Sequence, residues 1–191
     1  MKIEIDKSVF EKFPELESER LLFREFLLSD SKDLYLIESN DAVVRYMDKH
    51  KMESINDSEN YIRSCWESYK TENSIEWGII EKSSKSFIGY FGFWRIVKAH
   101  CRAEIGYSLN PGYWGKGYMT ESLKTLLLYG FNKLKLHSIE ANVNPNNKNS
   151  IKLLEGIGFK KEAYFRENFL FDDKFLDTIT YSLLEKYMKD T

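Results

Sequence analysis

Two glycines flank a lysine just before a predicted helix, and this turn is the part of the sequence best suited to binding an anion. The segment NPGYWGKGYMTESLKTLLLYGFNKL spans residues 110–134, with Gly115, Lys116 and Gly117 at the turn. Apolar residues recur every three or four positions after the turn, which predicts an amphipathic helix. The first N–H groups of a helix have no partner within it, and the positive end of its dipole lies there. Glycines would let a phosphate approach these N–H groups closely, and Lys116 would add a positive charge at the rim.

Two common phosphate-binding motifs do not fit this turn. A nucleoside-triphosphate loop needs Ser or Thr directly after the lysine, where Gly117 stands. A dinucleotide-binding loop needs a third glycine where Thr120 stands. The motifs therefore argue against a nucleotide triphosphatase or a dehydrogenase. Taken alone, the turn is also compatible with a plain connection between a strand and a helix.

A second polar segment, NVNPNNKNS over residues 142–150, precedes a shorter amphipathic helix. We expect Asn149 or Ser150 to cap this helix and Gly158 to end it, because these residue types favour those positions. Asparagine-rich loops are often only turns. By itself, the segment therefore does not define a site.

Together the two segments resemble the cofactor-binding motifs of the GNAT N-acetyltransferases, in the RimJ/RimL-like branch that acetylates the N-termini of ribosomal proteins. The turn is similar to the family's [Q/R]-x-x-G-x-[G/A] loop, with Trp114 and Met119 as departures from the pattern. Those departures leave the backbone amides of the turn unchanged. The asparagine-rich segment resembles N-x-x-N-x-x-S-x-x-L-L-x-x-x-G-F, read from Asn144 to Phe159. The resemblance extends over about residues 16–184.

The resemblance implies a fold, a co-substrate and a set of binding residues. The implied fold is mixed α+β: a central, mostly antiparallel, splayed sheet of six to seven strands, flanked by about four helices. It implies a single domain over residues 1–191, with a leader at 1–18 and a core at about 19–186. Acetyl-CoA is the implied co-substrate. The residues assigned to cofactor binding are Tyr107, Leu109, Trp114, Gly115, Lys116, Gly117, Tyr118, Met119, Thr120, Asn144 and Asn147.

The predicted strand over residues 102–109 is where we expect the acid–base chemistry. In the family this strand splays from the next one, here at about 138–143, and the thioester arm of the cofactor enters the gap. Glu104 lies on the polar face of the strand and is our candidate general base, acting through a water molecule. A surface carboxylate paired with Arg102 is an equally good interpretation of Glu104.

A proton donor for the departing thiolate is harder to assign. Some members of the family use a tyrosine at the position of Leu154, so that mechanism is absent from this sequence. Ser150 remains as the candidate donor, although a role as helix cap also explains it. Alignment of the reactants alone can contribute on the order of 7–11 kcal/mol, so weak general catalysis would suffice.

The resemblance implies direct attack of a primary amine on the thioester in a ternary complex. The leading acceptor is the α-amino group of a protein or peptide. Small-molecule amines (antibiotics, amino acids or polyamines) and a non-catalytic acyl-CoA-binding module remain alternatives. A homodimer is compatible with the resemblance. Candidate residues for an acceptor groove are Arg24, Tyr46, Trp94, Tyr107 and the hairpin over 165–171.

The elements that must position these residues follow from periodicity and turn residues. We predict a strand at 20–26, and helices at about 29–40, at 42–47 and from Asp57 or Ser58 onward. A hairpin of strands at 75–81 and 87–96 follows, with Gly89 and Gly92 as candidate bulges. The remaining elements are a strand at 138–143, a helix at 149–156, and a closing hairpin of 159–170 and 177–185.

Composition describes a globular protein of 191 residues, with 42% apolar and 30% charged residues. The net charge of −2 gives no general attraction to nucleic acid or to an anionic membrane, so we expect neither as a partner. Residues 1–19 do not predict a signal peptide, and no stretch reaches the ~20 apolar residues of a membrane span, so we expect a cytoplasmic protein. Cys65 and Cys101 are isolated and no metal-binding spacing occurs, which predicts neither disulfides nor a metal.

Overall fold

The structure is a computed structural model that describes residues 4–188. Eight strands form within these residues: β1 Leu16–Glu17, β2 Leu21–Arg24, β3 Ile75–Glu81, β4 Ser86–Val97, β5 Arg102–Leu109, β6 Ser138–Val143, β7 Lys160–Phe171 and β8 Lys174–Leu184. They make one sheet in the order β1-β2-β3-β4-β5-β6-β8-β7. All neighbours are antiparallel except β5 and β6, which are parallel.

Two layers of helices cover the two faces of the sheet. The α-helices of the described chain are α1 Ser31–Glu38, α2 Asp41–Val44, α3 Ile55–Lys70, α4 Tyr118–Asn132 and α5 Lys148–Ile157. Buried residues of α1, α2 and α3 pack with Phe26, Phe87 and Tyr90 on one face. The larger core lies on the other face, where the leucine stripe of α4 and Leu154 of α5 meet the rings of Trp77 and Phe93. Each helix thus buries its apolar side against the sheet, as its sequence periodicity predicts.

The expected mixed α+β fold with a central, mostly antiparallel sheet is confirmed. Residues 4–188 contain eight strands in place of six to seven and five α-helices in place of about four. The additional strand is β1, which has only two residues and therefore no periodicity to detect. Helix α3 begins at Ile55, earlier than predicted, because Ser54 is its N-cap and forms a reciprocal capping box with Asp57. The assignment of the whole chain to one domain with a leader at 1–18 stays a prediction.

The two glycines of β4 differ in their roles. One register shift between β3 and β4 falls beside Gly89, as expected for a bulge. Gly92 instead pairs regularly with Glu76, so its prediction as a bulge is wrong. A Cβ at Gly92 would stand 2.4 Å from Cγ of Glu76, so the glycine is needed for the close approach of that side chain. The second shift lies between β4 and β5 at Trp94, on the other side of Gly92.

The parallel strands β5 and β6 are paired over three residues only. The pairing runs from Arg102 opposite Ser138 to Glu104 opposite Glu140 and then stops. Cys101 O accepts from His137 N, and Asn110 N donates to Ile88 O, so the odd-numbered residues of β5 direct their backbone groups toward β6. Ile105 and Tyr107 therefore present N–H and C=O groups to a gap between two strands.

No helix within residues 4–188 is long and apolar enough to cross a membrane. The same part of the chain holds no cluster of three or more His, Cys, Asp or Glu side chains arranged to bind a metal ion.

Candidate active site

The turn before α4 has the backbone geometry that the glycines predict. Gly115 and Gly117 have φ of 71° and 81°, in the left-handed region that favours glycine. Gly117 is the N-cap of α4, and no side chain caps the helix. Within residues 4–188, no hydrogen bond uses the N–H groups of residues 115–120. The turn therefore offers a set of unpaired donors at the positive end of the helix dipole.

Arg20 brings a positive charge to this turn that the sequence analysis did not assign to the site. Its Nε donates to Glu121 Oε2 at 2.7 Å, and its NH1 donates to the carbonyl of Lys116 at 3.0 Å. The guanidinium also lies 4.2 Å from the ring centroid of Tyr118. A contact between residues about 100 positions apart leaves no local pattern in the sequence.

The predicted residues Lys116 and Trp114 make contacts within the turn region. Lys116 Nζ donates to the carbonyl of Gly112 at 2.7 Å, so its charge is held against its own turn. Trp114 Nε1 donates to the carbonyl of Leu109 at 2.7 Å. That bond ties the turn to the end of β5. Because the Leu109 carbonyl accepts this bond, the N–H of Leu109 is the backbone group of that residue that stays available on the side of the gap.

A cavity of about 570 Å³ opens where β5 and β6 diverge. Its volume is in the range of small-molecule sites. Predicted site residues that line it are Glu104, Tyr107, Asn144, Asn147 and Ser150. Residues 109 and 114–120 lie outside this lining, so the structure separates the predicted site into a turn and a cavity.

Four members of the expected acceptor groove also line the cavity: Tyr46, Trp94, Tyr107 and Phe169. Arg24 does not line the cavity, so its prediction as a groove residue is wrong. Its guanidinium instead makes two ion-pair contacts of 2.7 and 2.8 Å with Asp30. Trp94 lies over Gly106, where a Cβ would stand 3.4 Å from Cδ1 of the indole. The bulge at Trp94 thus places this ring against the central strand.

Glu104 is buried, with only 8% of its surface exposed. Oε1 accepts from Asn142 Nδ2 at 2.9 Å, and Oε2 pairs with Arg95 at 2.6 Å. Burial raises the pKa of Glu104 above its usual value, while Asn142 and Arg95 oppose that shift. The interpretation of Glu104 as a surface carboxylate paired with Arg102 is wrong, because Glu104 is buried and its ion-pair partner is Arg95, whereas Arg102 contacts Glu140 at 3.5 Å.

Ser150 does not cap α5. The N-cap is Asn147, whose Oδ1 accepts from Ser150 N at 3.1 Å, so the predicted caps Asn149 and Ser150 are both wrong. The hydroxyl of Ser150 instead forms a hydrogen bond of 2.8 Å with the phenol of Tyr107. Burial raises the pKa of Tyr107 to about 12. Two hydroxyl groups from different elements therefore meet in the wall of the cavity.

Asn144 joins the asparagine-rich segment to the loop after α2. Its Nδ2 donates to Asp48 Oδ1 at 3.1 Å, and its Oδ1 accepts from Asn146 N at 3.0 Å. Burial raises the pKa of Asp48. The carboxylates of Asp48, Glu76 and Glu104 all line the cavity, whereas Lys49 of the same lining is paired with Glu38 at 2.5 Å. The lining is therefore acidic.

These features fit a long ligand with a diphosphate and an extended arm. The unpaired N–H groups of residues 115–120 suit the diphosphate, and the gap beside Ile105 and Tyr107 suits the arm. The turn, the gap and the cavity are therefore three separate features that one long ligand and a second, smaller one could occupy together.

Comparison with known proteins gives the same class. Residues 20–160 match the family described as acetyltransferase (GNAT) domain, and the chain belongs to that family. It is an acetyl-CoA-dependent N-acyltransferase. Relatives include a Bacillus subtilis protein named uncharacterized N-acetyltransferase YoaA, 35% identical over 173 residues, which cover 91% of this chain and 98% of the relative.

Two further similarities agree with the RimJ/RimL-like branch and with the fold. The [ribosomal protein uS5]-alanine N-acetyltransferase of Escherichia coli is 28% identical over 177 residues, covering 88% of this chain and 89% of the relative. The crystal structure of a GNAT-family acetyltransferase from Bacillus anthracis superposes with a TM-score of 0.81 at 28% identity, covering 91% and 99% of the two chains. The resemblance of this sequence to the branch is confirmed.

Proposed function

We propose that this protein moves an acetyl group from acetyl-CoA to a primary amine by direct attack in a ternary complex, with the α-amino group of a protein or peptide as the leading acceptor. The observation that carries the proposal is the gap between β5 and β6, which opens onto a cavity containing Glu104, Tyr107 and Ser150. A carrier arm and an amine can meet there from different directions.

The cofactor would be held at two places. The N–H groups of residues 115–120 would bind the diphosphate, with the guanidinium of Arg20 beside them. Backbone groups of Ile105, Tyr107 and Leu109 would pair with the amide groups of the arm, as an added strand would. Asn144 and Asn147 line the cavity next to that path. Acetyl-CoA supplies an activated thioester, and the residues of this chain align it with the amine.

Glu104 is the proposed general base. Its carboxylate is buried in the cavity wall, and its hydrogen-bond partners fix its orientation. An attacking amine must lose a proton, and a carboxylate reached through a water molecule can take it. Ser150 is the proposed donor to the departing sulfur.

The acidic lining supports an amine as the acceptor, because a cationic group would be attracted before it loses its proton. Phe169 lines the cavity and is also 43% exposed, on a hairpin with the exposed rings of Phe165 and Phe175. Such a surface suits the residues that follow the N-terminus of a polypeptide. The uS5-alanine N-acetyltransferase relative supports the same acceptor class.

A polyamine is the second candidate acceptor, because Asp48 and Glu76 add two carboxylates to the lining besides Glu104. The cytoplasmic location, the possible homodimer and the absence of nucleic-acid and membrane partners stay predictions.

An acceptor panel tests the proposal. Thiol release from acetyl-CoA is measured with peptides that begin with Ala or Ser, with the same peptides blocked at the N-terminus, and with spermidine. We expect turnover with the free peptides and none with the blocked ones. Turnover with spermidine alone would favour the second candidate. Tight acetyl-CoA binding with no turnover on any acceptor would support a non-catalytic binding module instead.

A further inference from the structure

Tyr107 and Ser150 form a hydroxyl pair that joins the central strand to the helix after the asparagine-rich loop. Tyr107 comes from β5 and Ser150 from the first turn of α5, and their oxygens are 2.8 Å apart. Both side chains line the cavity where the strands diverge. The pair therefore lies beside the gap that would receive the arm of the cofactor.

Together, the two hydroxyl groups can donate one proton to a third group. Two hydroxyl groups carry two protons, and the hydrogen bond between them uses one. Within residues 4–188, neither hydroxyl has another protein partner. One proton is thus left for donation to a third group. The 2.8 Å separation allows either oxygen to donate. A phenol is the stronger acid of the two, so the arrangement in which the phenol donates and the serine proton is left free is the one on which the inference is built.

The position one turn after Ser150 supplies no donor at this place. Leu154, one turn after Ser150, is fully buried in the core. Asn147 uses its Oδ1 to cap the helix, which relieves Ser150 of that role. The hydroxyl of Ser150 is therefore fixed by Tyr107 rather than by the backbone of its own helix.

We propose that Tyr107 is a positioning residue whose phenol orients the Ser150 hydroxyl toward the sulfur of bound CoA, so that Ser150 stabilises the departing thiolate. This inference rests on the proposed function. In the step itself, the bond between the amine nitrogen and the acyl carbon forms and the carbon–sulfur bond breaks. Glu104 takes the proton of the amine through water. Ser150 keeps its proton and donates a hydrogen bond to the sulfur, which departs as a thiolate, while Tyr107 donates a hydrogen bond to the serine oxygen. The proton held by Glu104 then passes through water to the thiolate, so that the products are an amide and a thiol and Glu104 is again a carboxylate.

The acidities agree with these roles. Burial holds the pKa of Tyr107 at about 12, so its phenol stays protonated over the whole range in which the protein would work. A thiol has a pKa of about 8.5, so a thiolate can depart while it accepts a hydrogen bond from a hydroxyl group. The pair would therefore lower the pKa of a bound thiol.

Binding of two ligands tests the proposal without any turnover. The affinities of CoA and of S-methyl-CoA, which has no ionisable thiol, are measured by calorimetry between about pH 6.5 and 10, a range that spans a thiol pKa of about 8.5. For the wild-type protein, we expect the preference for CoA, measured as the ratio of its affinity to that of S-methyl-CoA, to grow about tenfold over this pH range. One hydrogen bond to the charged thiolate would give an effect of this size. Tyr107→Phe should lose most of this growth, Ser150→Ala should lose all of it, and Ser150→Thr should retain it. The affinity for S-methyl-CoA should stay the same in all four proteins.

The outcomes separate this inference from the function on which it rests. If Tyr107→Phe keeps the full growth of the preference for CoA, the positioning role is overturned. If thermal unfolding shows that Tyr107→Phe does not fold, the two Ser150 variants test the proposal instead. The same growth of the CoA preference in Ser150→Ala and Ser150→Thr would then overturn the role of the hydroxyl pair. If the wild-type protein binds both ligands with no preference that depends on pH, only the inference fails. Failure to bind either ligand overturns the proposed function as well.

Discussion

Replacement of Glu104 by glutamine removes the proposed base and changes the size of the side chain very little. The carboxylate that is lost accepts from Asn142 at 2.9 Å and pairs with Arg95 at 2.6 Å. General acid–base groups contribute about 10²–10⁴-fold to a rate. We expect kcat to fall by about 10²-fold or more, which is roughly 2.7 kcal/mol of transition-state stabilisation. Acetyl-CoA affinity should be nearly unchanged, because the turn at residues 115–120 is separate from Glu104.

Glu140→Gln is the matched control. Glu140 shares the partners of Glu104: its Oε1 accepts from Asn142 at 3.0 Å and lies 3.7 Å from Arg95. It does not line the cavity, so this change disturbs the same polar network and leaves the proposed base in place. We expect kcat to stay within about fivefold of wild type, because partly exposed ion pairs contribute roughly 0–1 kcal/mol.

The pH dependence gives a second readout of the same residue. Burial raises the pKa of Glu104, and a general base acts only when deprotonated. The wild-type kcat/KM should therefore rise with pH through a value above the usual carboxyl pKa, on top of the rise caused by deprotonation of the amine. In Glu104→Gln the contribution of the carboxyl disappears, and the acid limb becomes less steep.

Steady-state thiol release with a peptide acceptor and calorimetry with acetyl-CoA supply these measurements. A Glu104→Gln rate near that of wild type would remove Glu104 from the mechanism. Equal losses in Glu104→Gln and Glu140→Gln would show that the shared network, rather than a base, is what the reaction needs.

Two further predictions concern the turn and the stability of the sheet. Gly117→Ala and Gly158→Ala both place a Cβ at positive φ and should each lose about 1–2 kcal/mol of unfolding free energy. Only Gly117→Ala, whose Cβ would stand 3.4 Å from Arg20, should weaken CoA binding in calorimetry; equal affinities would contradict the diphosphate site. Hydrogen bonds from Ser84 and Ser83 lower the pKa of Glu81 to about 2, so the unfolded chain binds more protons below the ordinary value of 4.5. The unfolding free energy should therefore fall as pH drops from 4.5 toward 2, and urea unfolding of Glu81→Gln should show less of this fall, whereas identical slopes would refute the assignment.

The strongly periodic parts of the fold were predictable from the sequence. Strands β3, β4 and β6 and helix α4 lie within a few residues of their predicted ranges, since each repeats its apolar residues over several turns or pleats. Helix α3 starts earlier than predicted because Ser54 and Asp57 form a capping box. The S-x-x-D spacing of these two residues is visible in the sequence, but the prediction started the helix at Asp57 or Ser58 and did not use it. Gly92 shows a related difficulty: a glycine that serves a close contact looks the same in sequence as one that marks a bulge.

The residues of the site were identified better than their partners. Local motifs indicated Glu104 and Ser150. Their contacts with Arg95 and Tyr107 join different elements and leave no spacing to detect. Arg95 reaches Glu104 because the register shifts at Trp94, and a shift of register depends on two strands at once. Sequence patterns of one strand cannot specify it.

The end of the pairing between β5 and β6 connects the fold to the proposed chemistry. Beyond Glu104, β6 no longer pairs with β5, so the backbone groups that Ile105 and Tyr107 direct to that side have no strand partner, although backbone polar groups in a sheet need partners. Water can satisfy them in the free protein. A ligand arm with its own amide groups would satisfy them while holding a thioester beside the Tyr107–Ser150 pair. The same unpaired groups would therefore make cofactor binding favourable and place the reacting carbon, which is why the gap between the strands, more than any single side chain, carries the functional assignment.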